Sequence, residues 1–299
     1  MSSLSPKSGR KWGAQSAVAP LRRALVRPPC WSEARARAED LGPWGFSTPP
    51  DLERARAEHA ALVEVLRRNG VDVVEWREPN EALYDSVFAC DWGFVTDAGA
   101  VIFNAGKPVR RPEADLAERA FREMGVPVYH RMKAPATAEG GDFLWVAPDL
   151  VLAGRSYRTN AQGIAEVKAV LEPLGVTVVP APVVHWVGPG SVMHLLSAVS
   201  LVDRDLAVAF LPLLAVETVE LLRDRGVEFI EITREEFDNL GCNILALGPR
   251  HCLVVEGNPR VRRELEKKGA KVEEFPDREL GLNMGGGPTC LVQAVLRDL

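Results

Sequence analysis

The sequence predicts an α/β fold, a five-bladed α/β propeller of ββαβ-type units around a pseudo-fivefold axis, and three observations predict it. The first is a junction met five times: an amphipathic stretch ends at Gly70, Gly125, Gly175, Gly226 or Gly269, and a short β-branched run follows. Each junction reads as a helix closed by a left-handed glycine and then a strand. The second is the spacing of those glycines, roughly fifty residues, which signals a repeat or propeller architecture. The third is that most of the helices are preceded by two apolar runs of strand length, giving a unit of strand, turn, strand, helix and strand.

The elements follow in chain order. Residues 1–17 are rich in Ser, Lys and Gly without periodicity and are expected to form a flexible tail, leaving residues 18–299 as a single catalytic domain. A helix and closing strand are expected near residues 51–76. Strands at 92–95 and 101–103 precede a helix over about 111–124. Strands at 143–146 and 150–153 precede a helix starting near Asn160. Strands at 244–247 and 252–255 precede one starting near Pro259. The opening strand of the split unit is expected at 290–295, so joining the chain ends removes edge strands that would invite aggregation. A doubly wound α/β sheet also alternates strands and helices. Neither G-x-G-x-x-G after a first strand nor G-x-x-x-x-G-K-[ST] is present to support it.

Composition narrows the partners. A chain of 299 residues with 36 Lys+Arg against 41 Asp+Glu carries a net charge of -5, which offers nucleic acid no electrostatic footprint. No apolar run approaches the ~20 residues that cross a bilayer, so no membrane association is expected. Lys7, Arg10, Lys11, Arg22 and Arg23 break up the N-terminal region, which therefore reads as lacking a secretory signal. Five scattered cysteines, Cys30, Cys90, Cys242, Cys252 and Cys290, suit a reduced cytoplasmic setting better than a disulfide framework.

The residues that open the units carry the chemistry. Walking from each marker glycine to the next apolar strand meets Asp85, Glu139, His194, Asn243 and Cys290 in turn. In equivalent units these five side chains converge on the axis, and a cysteine, a histidine and two acids in one cavity form a constellation for nucleophilic catalysis. A lone cysteine is more often a small buried hydrophobe. Cys290, however, follows Gly285-Gly286-Gly287-Pro288, a run that lets backbone N–H groups approach a ligand. His194 follows Gly188-Pro189-Gly190, a loop approach more typical of a site than of a core. Asp142 reads equally well as an acid of the site or as an ordinary turn aspartate. Arg110-Arg111 and Arg155 to Arg158 begin two helices, where a cation opposes the macrodipole and calls for an anionic partner such as a substrate carboxylate. No H-E-x-x-H, C-x-x-C or H-x-H pattern exists, so no metal is expected.

Taken together, these motifs resemble the guanidine-modifying superfamily, whose fold is the pentein, and within it the dimethylarginine dimethylaminohydrolases. The resemblance runs from about residue 83 to 291. It rests on Asp85-Ser86-Val87-Phe88 with Asp91, on Glu139-Gly140-Gly141-Asp142, on Gly154-Arg155-Ser156-Tyr157-Arg158-Thr159-Asn160, and on His194-Leu195 with Thr289-Cys290. It implies Cys290 as nucleophile, His194 as acid and base, and Glu139 as the orienting charge. Asp85 and Asp91 would grip the guanidinium, and Arg110 and Arg158 the α-carboxylate. The chain departs from the family pattern at Cys90, where a second substrate acid is usual, and at Leu196, where Lys or Asp is usual. The implied reaction turns dimethylarginine into citrulline and dimethylamine through a thiouronium on the cysteine, with no cofactor. Arginine deiminase, dihydrolase or amidinotransferase chemistry on the same site is the alternative, and a non-enzymatic ring serving as a binding module is a second. The expected partner is a small guanidino compound, with a homodimer compatible with the pattern.

Overall fold

The computed structural model describes residues 9–32, 41–46, 48–79, 82–190 and 193–299. The strands among them fall into five three-stranded sheets. β1 (Leu21–Val26) and β2 (Asp72–Glu75) lie parallel, linked through the helix Leu52–Arg68. β3 (Gly93–Thr96), β4 (Gly99–Ile102) and β5 (Val128–Arg131) form a sheet with the helix Glu113–Glu123 crossing between its last two strands. β6 (Phe143–Ala147), β7 (Leu150–Arg155) and β8 (Thr177–Pro182) repeat this around the helix Ala161–Leu171. β9 (Val199–Asp203), β10 (Leu206–Ala209) and β11 (Glu228–Glu231) repeat it around Val216–Asp224. β12 (Leu245–Gly248), β13 (His251–Val255) and β14 (Lys271–Phe275) repeat it around Pro259–Lys267. β15 (Val292–Arg297) then returns to the start of the chain and pairs antiparallel with β1, Leu21 opposite Arg297, to complete the order β15-β1-β2. In every sheet the first strand is antiparallel to the second and the second parallel to the third.

The marker glycines do what their positions require. Gly70, Gly125, Gly175, Gly226 and Gly269 have φ of 79°, 74°, 74°, 80° and 78°, left-handed values that a side chain resists. Each ends a helix and releases the chain into the third strand of its sheet. Side chains cap two of these helix starts: Asp51 accepts from Arg54 N at 3.0 Å and Asn160 from Gly163 N at 2.7 Å. Packing follows the helical period. Leu116, Ala117, Ala120 and Phe121 on Glu113–Glu123 are buried against Val95, Ile102 and Val126. The first strands of neighbouring sheets lie against one another, β15 on β3 and β9 on β12, and the apolar clusters fill the space between them and the outer helices.

Two expectations need correction, and one strand was not foreseen. The tail was expected to reach residue 17. Residues 1–8 lie outside the described residues, but the segment from Gly13 on is bound into the fold. Gly13 N donates to Val295 O at 2.8 Å, Ala14 N to Val95 O at 2.8 Å and Ala17 N to Trp145 O at 3.3 Å, so this segment ties β15, β3 and β6 together. Backbone pairing of this kind does not depend on the side-chain pattern, which is why composition alone misread it. The strand expected at 290–295 begins at Val292 instead, because Pro288–Leu291 forms one helical turn and Cys290 stands on it. The middle strand of the split unit, β1, is hidden in the sequence because Arg22 and Arg23 interrupt its apolar run.

Candidate active site

The turns that precede the first strands of the five sheets bring the unit-opening residues to one end of the sheets. Asp85, Asp91, Arg110, Arg158, His194 and Cys290 line one small cavity. It opens through a wider vestibule walled by Trp44, Lys107, Tyr157, Trp186, Phe237 and Asn243, and Arg158, His194 and Cys290 reach both spaces. Of the seven residues singled out in the sequence, six line the inner cavity. The seventh, Glu139, is fully buried directly behind His194.

Glu139 is the electrostatic centre of the acid side. Its Oε2 accepts from His194 Nε2 at 2.9 Å and from Arg158 Nη1 at 2.9 Å, and its Oε1 accepts from Lys107 N at 3.1 Å. Burial alone would raise this carboxyl, but Arg158, His194 and Arg110 outweigh burial and hold it below the usual range. His194 answers in kind. Burial would lower its pKa, yet the charges of Asp91 and Asp142 and the hydrogen bond to Glu139 hold it up at about 9. Its ring lies directly on the chain at Gly141, where any Cβ would overlap Nδ1, so the Gly-Gly pair of the motif is a steric need. Asp142 fixes the next shell. Oδ1 accepts from Leu195 N at 3.0 Å, beside the histidine, and Oδ2 from Ser156 Oγ at 2.6 Å, which in turn accepts from Arg158 N at 3.0 Å.

Asp91 accepts from Gly141 N at 2.9 Å and from Arg110 Nη1 at 2.6 Å. Asp85 Oδ2 accepts from Lys107 Nζ at 2.6 Å, while its buried Oδ1 has no partner among the described residues. Lys107 also donates to Trp44 O at 2.6 Å, fastening the vestibule segment to the cavity wall. No motif marks Lys107. Its one signal in the sequence is its place on the same connection as Arg110.

Arg110, expected to hold a substrate carboxylate, lines the cavity with its guanidinium engaged by groups of the chain itself. Nε and Nη2 form a fork on Glu113 at 3.0 and 2.9 Å, Nη1 takes Asp91, and Nη2 also meets Asp85 O at 3.2 Å and Phe88 O at 3.3 Å. The anion that this helix-start arginine calls for is supplied by the chain itself. Arg158 differs, because only Nη1 is engaged by a carboxylate and the group borders the vestibule.

On the opposite side stands the sulfur. Cys290 Sγ accepts from Asn243 Nδ2 at 3.2 Å. Burial pushes this thiol up to about 12, and Asp91 adds to the push. Cys90 lies behind the cavity wall rather than in it, and burial raises its thiol well above the ordinary range. Leu196 likewise faces away from the cavity. Asp91, Glu139 and His194 offer three metal-type donor atoms within 4.8 Å of one another. Arg110 and Arg158 already neutralise the two carboxylates, so a divalent ion there would face two guanidinium groups. Among the described residues no helix is long and apolar enough to cross a membrane.

Comparisons with known proteins place the chain in a family. The family model described as N,N dimethylarginine dimethylhydrolase, eukaryotic, matches residues 44–297. The N(G),N(G)-dimethylarginine dimethylaminohydrolase of Streptomyces coelicolor is 30% identical over 84% of this chain and 88% of its own length. That of Pseudomonas aeruginosa is 29% identical over 81% and 89%. A solved structure of the Pseudomonas aeruginosa enzyme, a cysteine-to-serine variant complexed with citrulline, superposes with a TM-score of 0.75 at 25% identity, covering 93% of this chain and all of that one. The chain belongs to the dimethylarginine dimethylaminohydrolase family and is a hydrolase of C–N bonds in guanidino compounds.

Proposed function

We propose that the protein hydrolyses dimethylarginine to citrulline and dimethylamine through a covalent thiouronium on Cys290. The observation that carries this reading is the opening of one sulfur, one imidazole and two acids, Asp85 and Asp91, onto a single cavity small enough to hold a guanidinium. The citrulline complex of the Pseudomonas aeruginosa relative supports a urea product. We infer also that the five sheets are blades of a closed α/β propeller, with the cavity at one end of its axis. All the named groups come from one chain, so the reaction needs no second copy.

The charges suggest the order of events. In the free site Cys290 is a thiol and His194 an imidazolium at neutral pH. A guanidinium carbon is a poor electrophile, so attack needs the thiolate. The substrate enters as a cation, held by Asp85 Oδ1 and Asp91, and its positive charge beside Sγ favours transfer of the thiol proton to solvent through the vestibule that Cys290 borders. Sγ then attacks the guanidinium carbon and forms the C–S bond. Dimethylamine leaves with the proton of the His194 imidazolium, and an S-alkylthiouronium remains. Neutral His194 next takes a proton from water, the resulting hydroxide adds to the same carbon, and the thiolate leaves citrulline behind. The free donors of Arg158 hold the α-carboxylate, a role in which Arg110 takes no part.

The test is mass spectrometry of enzyme quenched during turnover, with amine analysis of the products. The expected result is a thiouronium on the Cys290 peptide and release of dimethylamine. Full turnover in Cys290→Ser would remove the covalent scheme. Ammonia from arginine as the main product would replace the substrate with that of a deiminase. Agmatine, which lacks a carboxylate, should be a poor substrate, and equal activity on it would remove Arg158 from its role.

A further inference from the structure

The mechanism uses three of the five unit-opening residues directly and Glu139 through its hydrogen bond to His194, and it leaves the fifth, Asn243, without a task. Asn243 precedes β12 as Glu139 precedes the turn into β6 and His194 the turn into β9, and it is 6% exposed. Both ends of its amide are committed to the turn that carries the sulfur. Oδ1 accepts from Thr289 N at 3.0 Å, and Nδ2 lies 3.2 Å from Cys290 Sγ. The backbone N–H of Thr289 can only donate, so the amide oxygen must face it and the NH₂ must face the sulfur. The neighbouring turn makes room for this contact: a Cβ on Gly287 would stand 2.8 Å from Asn243 Cγ.

We propose that Asn243 is a further catalytic residue, a neutral hydrogen-bond donor that stabilises the Cys290 thiolate both before attack and when it departs from the second tetrahedral adduct. This rests on Cys290 being the nucleophile. The choice of a neutral donor has a physical reason. A lysine or arginine beside the sulfur would stabilise the thiolate more strongly, but it would repel the cationic substrate that must bind a few ångströms away. An amide supplies the hydrogen bond and leaves the positive charge to the substrate. Stabilising a thiolate lowers its intrinsic nucleophilicity, but by only about half of what it gains in population, so the balance favours attack.

The experiment compares wild type, Asn243→Ala and Asn243→Asp by the rate of iodoacetamide alkylation at pH 8, read on the Cys290 peptide. Asn243→Asp is the decisive variant. It keeps an oxygen for Thr289 N–H and the shape of the side chain, but it turns an acceptor instead of a donor to the sulfur. Losing a hydrogen bond to a charged group shifts a pKa by roughly one to two units, and with the opposing gain in nucleophilicity alkylation should slow roughly 3- to 10-fold in both variants. The drop should appear in kcat with little change in KM, and thiouronium should accumulate during turnover. Wild-type alkylation in Asn243→Asp would overturn the proposal, because the amide would then be only an anchor for the turn. If Asn243→Ala does not fold, the aspartate variant alone decides. Turnover by Cys290→Ser, measured alongside, would overturn the nucleophile itself and this inference with it, whereas a normal thiouronium in wild type with unaltered alkylation in Asn243→Asp sinks only the role of Asn243.

Discussion

The two walls of the cavity are built on opposite principles. On one side Asp91, Glu139, Arg110, Glu113, Arg158 and His194 form a dry web in which every charge has a partner within 3.0 Å. On the other, Cys290 stands on a glycine-rich turn with a single neutral side-chain donor. The first wall is held by ion pairs that lose much if one member goes. The second is held by close backbone packing and little charge. In the proposed reaction the difference would separate duties: the ionic wall would fix where a cation sits, and the neutral wall would keep the sulfur uncharged until the cation arrives.

That contrast can be broken from either side. The largest effect should come from His194→Ala, which removes the proposed proton donor and acceptor. Activity should fall by about 10²- to 10⁴-fold, and an unchanged kcat would place the acid and base elsewhere. Next is Arg110→Met. It leaves the carboxylates of Asp91 and Glu113 buried without their cation, and stability should drop by about 3–5 kcal/mol in chemical denaturation. A small loss there would mean that the web is far wetter than its burial implies.

The third is a dependence on pH. His194 is raised from 6.5 to about 9, so its contribution to stability is complete below pH 6.5 and is lost as pH rises through about 9. The unfolding midpoint should fall across that window, by at most a factor of roughly 300 in the folding equilibrium. His194→Gln should flatten the curve, and a slope that persists in the variant would assign the dependence to other groups. The smallest is Gly286→Ala on the neutral wall. The added Cβ would stand 2.6 Å from Phe88 Cε1 and 3.0 Å from Cys290 Cβ. Overpacking of this kind costs about 1–3 kcal/mol, and kcat should suffer more than the unfolding midpoint. A purely global destabilisation would erase the distinction between the walls.

Much of the fold was legible because its punctuation is local. A left-handed residue after a helix almost demands glycine, so Gly70, Gly125, Gly175, Gly226 and Gly269 could be found without knowing what they pack against. The convergence of Asp85, His194 and Cys290 was legible for a related reason: residues at equivalent places in a repeated unit meet wherever the units meet. What escaped was set by partners far apart in sequence. The arginine at the start of the helix Glu113–Glu123 was read rightly as needing an anion, but the anions are Glu113 and Asp91, one on the helix itself and one from the preceding sheet. Hydrophobic periodicity carries no information about which charge closes on which. The tie of Gly13 to Val295 is also silent in composition, because it is made by backbone atoms alone.

The segment that joins β15, β3 and β6 has a further consequence. It works like a clasp, because Arg297 N reaches back to Gly13 O at 2.9 Å and Asp298 N to Pro20 O at 3.0 Å. Neither end of the polypeptide can peel off alone without loosening the other. A short deletion at the front should therefore be felt at the back, where the strand that follows the reactive sulfur is anchored. Shortening the segment at Gly13 or the end of β15 would not be an independent perturbation, since both hold the same knot.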